Sequence, residues 1–317
     1  MTVAKLKEYI DRETGELVRG NLLEEGFEGK VITQESQDKI LKYHAEKKQY
    51  DNYKDIAGGF TFMLIDTLKA FNEDISFTDM EKARIMFLGS YVSYESHGRY
   101  LITNNNKCIL KSDLQELLEI KGKKEFYNLY NKMVEAGIIE EEVKSRYEIR
   151  LKWNSSYHFK GTLKGAGVSS ADTVKTYDRQ IQELYKAKGK NGKSINTPKN
   201  LYIMFMMLPF LHIESSALCK YPNNPIEEGS EPLQLNELAK MFGYKPSAFR
   251  TLLLKCTLFK TNVFLISEGI DAGERYTRIF VNPFVASRSH KAPNPSLLAM
   301  FPNIGEAIVK NIMDKKK

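Results

Sequence analysis

Cysteine is scarce in this chain. Cys108, Cys219 and Cys256 lie far apart, each among apolar neighbours, which supplies neither a disulfide framework nor a zinc ligand set and suits a reducing, cytoplasmic setting. Long apolar runs are lacking too. The most apolar stretch, Leu201 to Ile213, is interrupted by Pro209 and falls short of the roughly 20 residues that cross a bilayer, so it reads as a buried helix. Acids appear from Glu8 onward with no apolar run before them, which predicts no signal peptide and no membrane partner. The five histidines are scattered without an H-x-H pair, and no G-x-x-x-x-G-K-[ST] loop occurs, which argues against a metal-dependent nickase and an ATP-driven motor. Gly165-Ala166-Gly167 lacks the strand–turn–helix context of a nucleotide site, and nothing places a general base beside a tyrosine. His158 and His212 read as structural. The expectation is a protein that is not an enzyme and takes neither cofactor nor metal.

Charge, by contrast, is plentiful and unevenly spread. The net charge is +7 over 317 residues, a length that allows about two domains. Between Lys144 and Asn200 there are thirteen Lys/Arg against four Asp/Glu, which leaves the remainder of the chain slightly acidic. A basic band in a near-neutral chain suits a surface that follows phosphates.

The most informative stretch runs from Ser112 to Trp153. Ser112-Asp113-Leu114-Gln115 has the form of a capping box, and Leu114, Leu117 and Leu118 recur at helical spacing. A basic turn, Lys121-Gly122-Lys123-Lys124, leads to a second helix with Phe126, Leu129 and Met133 on its buried stripe and Gly137 as its stop. Lys124, Tyr127, Asn128, Asn131 and Lys132 then face outward, the groups that contact phosphates and base edges. Ile138 and Ile139 open one strand, and Tyr147, Ile149, Leu151 and Trp153 alternate with Glu148, Arg150 and Lys152 along its partner. Lys144-Ser145-Arg146 forms a basic tip. Helix, turn, helix and ribbon in this order is the plan of a winged helix.

Elsewhere, Lys7 to Val18 reads as a hairpin turning at Thr14-Gly15-Glu16, and Gln34 to Tyr50 as a polar surface helix. Phe60 to Phe71 is apolar, and periodicity does not decide between strand and helix. Thr78-Asp79-Met80-Glu81 opens a helix expected to run to about Tyr94. Asn104-Asn105-Asn106 marks a turn before a short strand, Cys108 to Leu110. Leu163 to Ser170 reads as a flexible joint, Ala171 to Ala187 as an amphipathic helix, and Lys186 to Lys199 as a linker. Leu114, Leu117 and Gly122 recur as Leu235, Leu238 and Gly243, and Phe249, Leu252, Leu253 and Cys256 form a second stripe. A second ribbon, Val263 to Ile266 with Tyr276 to Val281, joined by Glu268 to Glu274, completes a second winged unit. Its outward set is Lys245, Ser247, Arg250, Thr251 and Lys255. The fold class expected is α+β, mainly helical, with two tandem winged helix–turn–helix domains at residues 76–161 and 199–290. An N-terminal extension (1–75), a basic helical linker (162–198) and a C-terminal helical tail (291–317, helical from about Asn303) complete the plan.

Gly59-Phe60 with Leu64 and Leu68, Lys111-Ser112-Asp113-Leu114, Val134 to Ile139, and Asn154 with Tyr157-His158-Phe159-Lys160-Gly161 resemble the RepL-type plasmid replication proteins of Firmicutes. The resemblance covers residues 56–161 and implies a winged-helix DNA-binding domain in a replication or plasmid-maintenance protein. Asn154-Ser155 stands where that family usually has Asn-Pro, which occurs here only as Asn282-Pro283. The tandem plan is also similar to that of theta-plasmid initiators, at the level of fold alone. The leading expectation is a sequence-specific double-stranded DNA binder that initiates replication of a plasmid or phage. A transcriptional regulator using the same surfaces, and a phage factor that binds host proteins, are the alternatives. Host replication or transcription proteins and a homodimer are the further partners expected.

Overall fold

The structure is a computed structural model describing residues 7–10, 17–20, 34–225, 227–271 and 274–314. It is α+β, about 47% helix and 21% strand. The chain divides into two units, residues 1–55 and 56–317. In the first, strands β1 (Lys7–Ile10) and β2 (Leu17–Gly20) pair antiparallel, as the hairpin reading expects. The turn at Thr14 to Glu16 lies outside the described residues. Helix α1 (Gln34–Ala57) follows and is exposed over residues 38–49, in keeping with its polar sequence.

The boundary falls after Asp55 and not after residue 75, because residues 56–75 supply core to the larger unit. The apolar run from Phe60 is both elements that periodicity left open: β3 (Phe60–Leu64) passes directly into α2 (Ile65–Glu73), which buries Ile65, Leu68 and Phe71. Helix α3 (Asp79–Gly89) opens on the expected capping box. The Thr78 hydroxyl accepts from the Glu81 N–H at 3.3 Å, and the Glu81 carboxylate accepts from the Thr78 N–H at 2.8 Å. The helix stops at Gly89, short of Tyr94, because Tyr91 and Ser93 turn out to bond the backbone of Ile102 and Tyr100.

Helices α4 (Leu114–Leu117) and α5 (Lys123–Glu135) and the ribbon strands β4 (Ile139–Ser145) and β5 (Glu148–Trp153) follow in the expected order. Ser112 does not form the expected cap with Gln115. A short 3-10 turn, Lys111–Asp113, intervenes, and the Asp113 carboxylate instead accepts from the Leu110 amide at 2.9 Å. Gly137 ends α5 as expected, with φ +64 and the Ile138 N–H returning to the Met133 carbonyl at 2.9 Å, a left-handed closure that glycine adopts without steric cost. Strand β6 (His158–Phe159) and a single helical turn, α6 (Leu163–Ala166), come next.

Residues 171–187 correct the sequence reading. They form β7 (Thr173–Tyr177) and only then α7 (Asp178–Lys186). Helical spacing of Val174, Tyr177 and Ile181 gives way because Thr173–Tyr177 finds β3 to pair with, Phe60 opposite Tyr177 through Leu64 opposite Thr173. All five residues of β7 are buried. The centre of the expected linker is therefore core.

Helix α8 (Pro198–Met207) is buried, as the apolar Leu201 stretch predicts. Then come α9 (Leu235–Met241), α10 (Pro246–Lys255), the short pair β8 (Thr257–Leu258) and β9 (Thr261–Asn262), and the ribbon β10 (Phe264–Asp271) with β11 (Glu274–Val281). This ribbon is longer than expected, with paired residues out to Asp271 and Glu274. Strand β12 (Ala286–Ser287), α11 (Pro295–Ala299) and α12 (Ile304–Asp314) complete the chain; α12 was expected and α11 was not.

The central sheet has the order β6-β3-β7-β12, antiparallel throughout. It also shows that one series of elements occurs twice. β3 and α2 match β7 and α7 in length, residue for residue. Each ribbon ends on an asparagine whose side-chain oxygen accepts a backbone N–H two residues on: Asn154 from Ser156 at 2.9 Å, Asn282 from Phe284 at 3.0 Å. The expected equivalence of Gly122 with Gly243 is three residues out. Gly243 closes α9 at φ +73, and its counterpart is Glu119, at φ +53 after α4. In both turns the next N–H returns to the helix, Ile120 to Gln115 and Tyr244 to Ala239. Gly122 instead caps the start of α5 at φ −86.

At the middle of the β3–β7 pair Phe62 faces Lys175. The Lys175 ammonium is 2.6 Å from the Ser289 carbonyl and lies over the Phe60 ring, and burial pushes its pKa down to about 8. A lysine with a depressed folded pKa contributes full stability only above its unfolded value, and that stability is lost as pH falls from 10.5 through about 8. At pH 7 the buried charge therefore costs stability. Lys175→Met is expected to raise unfolding free energy by about 1–3 kcal/mol at pH 7, the gain shrinking toward pH 10. Urea unfolding at the two pH values checks this.

Candidate nucleic-acid interface

Helix α5 is fixed by Phe126, Leu129, Tyr130 and Met133, all buried. That places Lys123, Lys124, Tyr127, Asn128 and Asn131 on the exposed side, with Lys121 exposed just before the helix. The helix begins at Gly122 without a side-chain cap, so its first amides remain available to an anion. Its one first-turn acid, Glu125, is drawn to the buried Arg84 at 2.7 Å. Its second oxygen stays beside the basic turn, 3.9 Å from where a Cβ on Gly122 would sit.

Lys132 departs from the expected outward set. Its ammonium reaches Glu81 at 3.0 Å and the Ser76 carbonyl at 2.9 Å, and lies over the Phe77 ring. One turn beyond Asn128, it is drawn back to the start of α3, where the capping carboxylate of Glu81 takes it as partner. It ties two helices together.

The ribbon tip is built tightly. The Ser145 hydroxyl accepts from the Tyr147 and Glu148 N–H groups at 3.3 and 3.1 Å, which holds Arg146 and Tyr147 at the apex. Both are exposed, Tyr147 at 82%, and the Arg146 guanidinium lies 5.8 Å from the tyrosine ring. Lower down, cations are matched by acids. Lys144 and Lys152 flank Glu142 at 3.2 and 3.3 Å, and a hydrogen bond from Tyr100 with these lysines draws the Glu142 carboxyl down to about 2. Arg150 is held by Glu148 at 2.5 Å. The expected phosphate contacts of Lys144 and Arg150 therefore compete with intramolecular partners, whereas Arg146 has no acidic partner among the described residues.

The second half presents less. Lys245, Ser247, Thr251 and Lys255 are exposed on α10. The Thr251 hydroxyl bonds back to the Ser247 carbonyl at 2.9 Å, and Arg250 is paired with Glu268 on β10.

The basic band of residues 144–200 does not form one surface. Lys175 is buried, Lys160 is paired with Asp178 at 2.8 Å, and Lys188 with Glu119. Asp178 is itself buried, accepts from the Thr61 hydroxyl at 2.6 Å, and has its pKa raised by burial. Charge counted along the chain took structural lysines for surface ones.

The histidines expected to be structural differ from one another. His212 Nδ1 faces the Ser215 N–H and hydroxyl at 3.1 and 3.0 Å while Nε2 lies 2.6 Å from the Asn224 carbonyl, a satisfied turn. His158 is buried with neither ring nitrogen hydrogen-bonded, packed on Trp153. No group of three His, Cys, Asp or Glu side chains suited to a metal ion occurs among the described residues, and none of the described helices is long and apolar enough to cross a membrane. In comparisons with family models, with curated proteins and with solved structures, the chain matches none.

Proposed function

We propose that the chain is a sequence-specific double-stranded DNA-binding protein carrying two winged helix–turn–helix modules, and that it serves as a replication initiator of a plasmid or phage. The observation that carries the reading is the pairing of α5 with the ribbon tip. One exposed helix face offers two amides, a phenol and lysines that have no ion pair among the described residues, and an exposed arginine stands at the apex of the following ribbon, whose turn is closed by Ser145. A recognition helix in the major groove reads bases with such amides, and a wing follows the adjacent backbone. The initiator role rests on the resemblance, whose segments Phe60–Leu64 and His158–Phe159 lie side by side as β3 and β6.

Binding to duplex DNA is expected to weaken steeply with salt, with a log–log slope of about −0.9 per phosphate contacted. Lys123→Ala and Lys124→Ala should each make that slope shallower by about 1 and weaken all sequences alike. Asn128→Ala or Asn131→Ala should cost about 1–3 kcal/mol on the preferred site and little on random duplex. Lys132→Ala, by contrast, should lower stability and leave the slope unchanged, since its ammonium is held by Glu81. Fluorescence-anisotropy titrations over a salt series measure all of these. A flat salt response of the full chain refutes the reading.

A further inference from the structure

We propose that a cavity beside the base of the first ribbon binds a phosphate monoester carried on a flat apolar body, the chemistry of a nucleotide. The proposal stands apart from the duplex-binding reading and uses none of its residues. The cavity holds about 460 Å³, a size suited to a small ligand. Its walls come from the turn 94–99, the turn after β5 and the loop 160–168 around α6. Leu64, Phe159, Ala166 and Val168 supply apolar surface. Tyr94, 54% exposed, adds a ring open to stacking.

The polar lining is made mostly of donors. The Arg99 guanidinium gives one N–H to the Ser155 hydroxyl at 3.1 Å, and no carboxylate pairs with it among the described residues. The hydroxyls of Ser155 and Thr162 already act as acceptors, the second from the Gly165 N–H at 3.1 Å. Each keeps its own proton to donate. Lys160 also lines the cavity, with its charge matched by Asp178 at 2.8 Å. Glu95 is the single carboxylate of the lining and is exposed. A guanidinium among hydroxyl donors suits an oxyanion, which arginine takes with two parallel bonds.

The backbone at Arg99 distinguishes this cavity from a chance hollow. Its φ is +57, directly after Gly98 at φ +79, in the left-handed region that side chains disfavour. The conformation is held from both sides. The Arg99 N–H reaches the Tyr94 carbonyl at 3.4 Å, and the Arg99 carbonyl accepts from the Trp153 N–H at 2.8 Å. Glycine would fill this place with less strain, yet an arginine occupies it and lays its side chain along the cavity wall. Strain of this kind collects at ligand clamps.

Equilibrium dialysis of the full chain against nucleoside 5′-monophosphates, the matching nucleosides and inorganic phosphate tests the proposal. The monophosphates are expected to bind about tenfold or more tightly than either fragment, since they alone engage donors and apolar surface together. Arg99→Gly should abolish that advantage and leave the urea midpoint near the parent's, because relief of the left-handed strain offsets a freer unfolded chain. Tyr94→Ala, at an exposed position, should weaken the monophosphates by about threefold or more and leave inorganic phosphate unchanged. A short single strand with and without a 5′-phosphate separates the two sources of such a group. Tightening by the 5′-phosphate that Arg99→Gly removes assigns the site to a strand end, and its absence with the monophosphates bound assigns it to a free nucleotide. Binding that Arg99→Gly does not weaken, or inorganic phosphate bound as tightly as the monophosphates, would overturn the proposal. So would failure of every phosphate ester to bind at about 1 mM.

Discussion

Gly89→Ala is expected to destabilise the protein by about 3 kcal/mol, the upper part of the range for overpacking a filled core. At an ordinary helical position the same change is neutral or stabilising, because alanine restricts the unfolded chain. Here the added Cβ would overlap the His158 ring, at Cδ2, Nε2 and Cε1. The ring has nowhere to retreat: His158 is 1% exposed and packs edge-on against Trp153, itself 2% exposed. The backbone of α3 therefore sits against β6 at a distance only glycine permits. Denaturant midpoints for Gly89→Ala, His158→Ala and the double variant check this, with the double variant more stable than the sum of the single losses. A Gly89→Ala protein as stable as its parent would show that α3 and β6 are not in this contact.

The same histidine should make the fold acid-sensitive before the carboxylates titrate. Burial drives the His158 pKa down to about 3 from a reference value of 6.5, so the folded protein holds it neutral while the unfolded chain protonates it. A histidine with a depressed folded pKa contributes stability that is complete above 6.5 and is lost as pH falls toward about 3. Each unit within that window costs about 1.4 kcal/mol, so at pH 4.5 the loss approaches about 3 kcal/mol. His158→Leu should flatten the decline between pH 6.5 and 4.5 by about one proton. Unfolding free energies at several pH values in that range measure it, and an unchanged slope in His158→Leu would exclude the assignment.

What was legible in the sequence was local. The Thr78 capping box, the stripe of Phe126, Leu129 and Met133 and the Gly137 stop appear as read, and the alternation along the second ribbon strand appears over Leu151–Trp153, with Tyr147 exposed at the tip. Each depends on residues a few positions apart, which spacing reports directly. What was not legible depended on partners far along the chain. Thr173–Tyr177 has helical spacing but becomes a strand because β3 lies beside it. Lys132 has an outward position by helical count but a carboxylate from another helix within reach. The basic band dispersed for the same reason, since Asp178, Glu119 and the Ser289 carbonyl each claimed a lysine. The α4 turn was misaligned because Glu119 takes a left-handed conformation that sequence rules assign to glycine.

The central sheet also sets the order in which the protein can be made. β3 waits for β7, more than a hundred residues later, and β7 waits for β12 at Ala286 and Ser287. Contacts this distant in sequence form slowly. A ribosome moving from residue 177 to residue 286 therefore carries a chain whose β7 edge, buried in the finished protein, has no partner yet. Open strand edges recruit strands from other chains, so β12 must reach β7 before a neighbour does. Products broken off in this window keep the edge permanently.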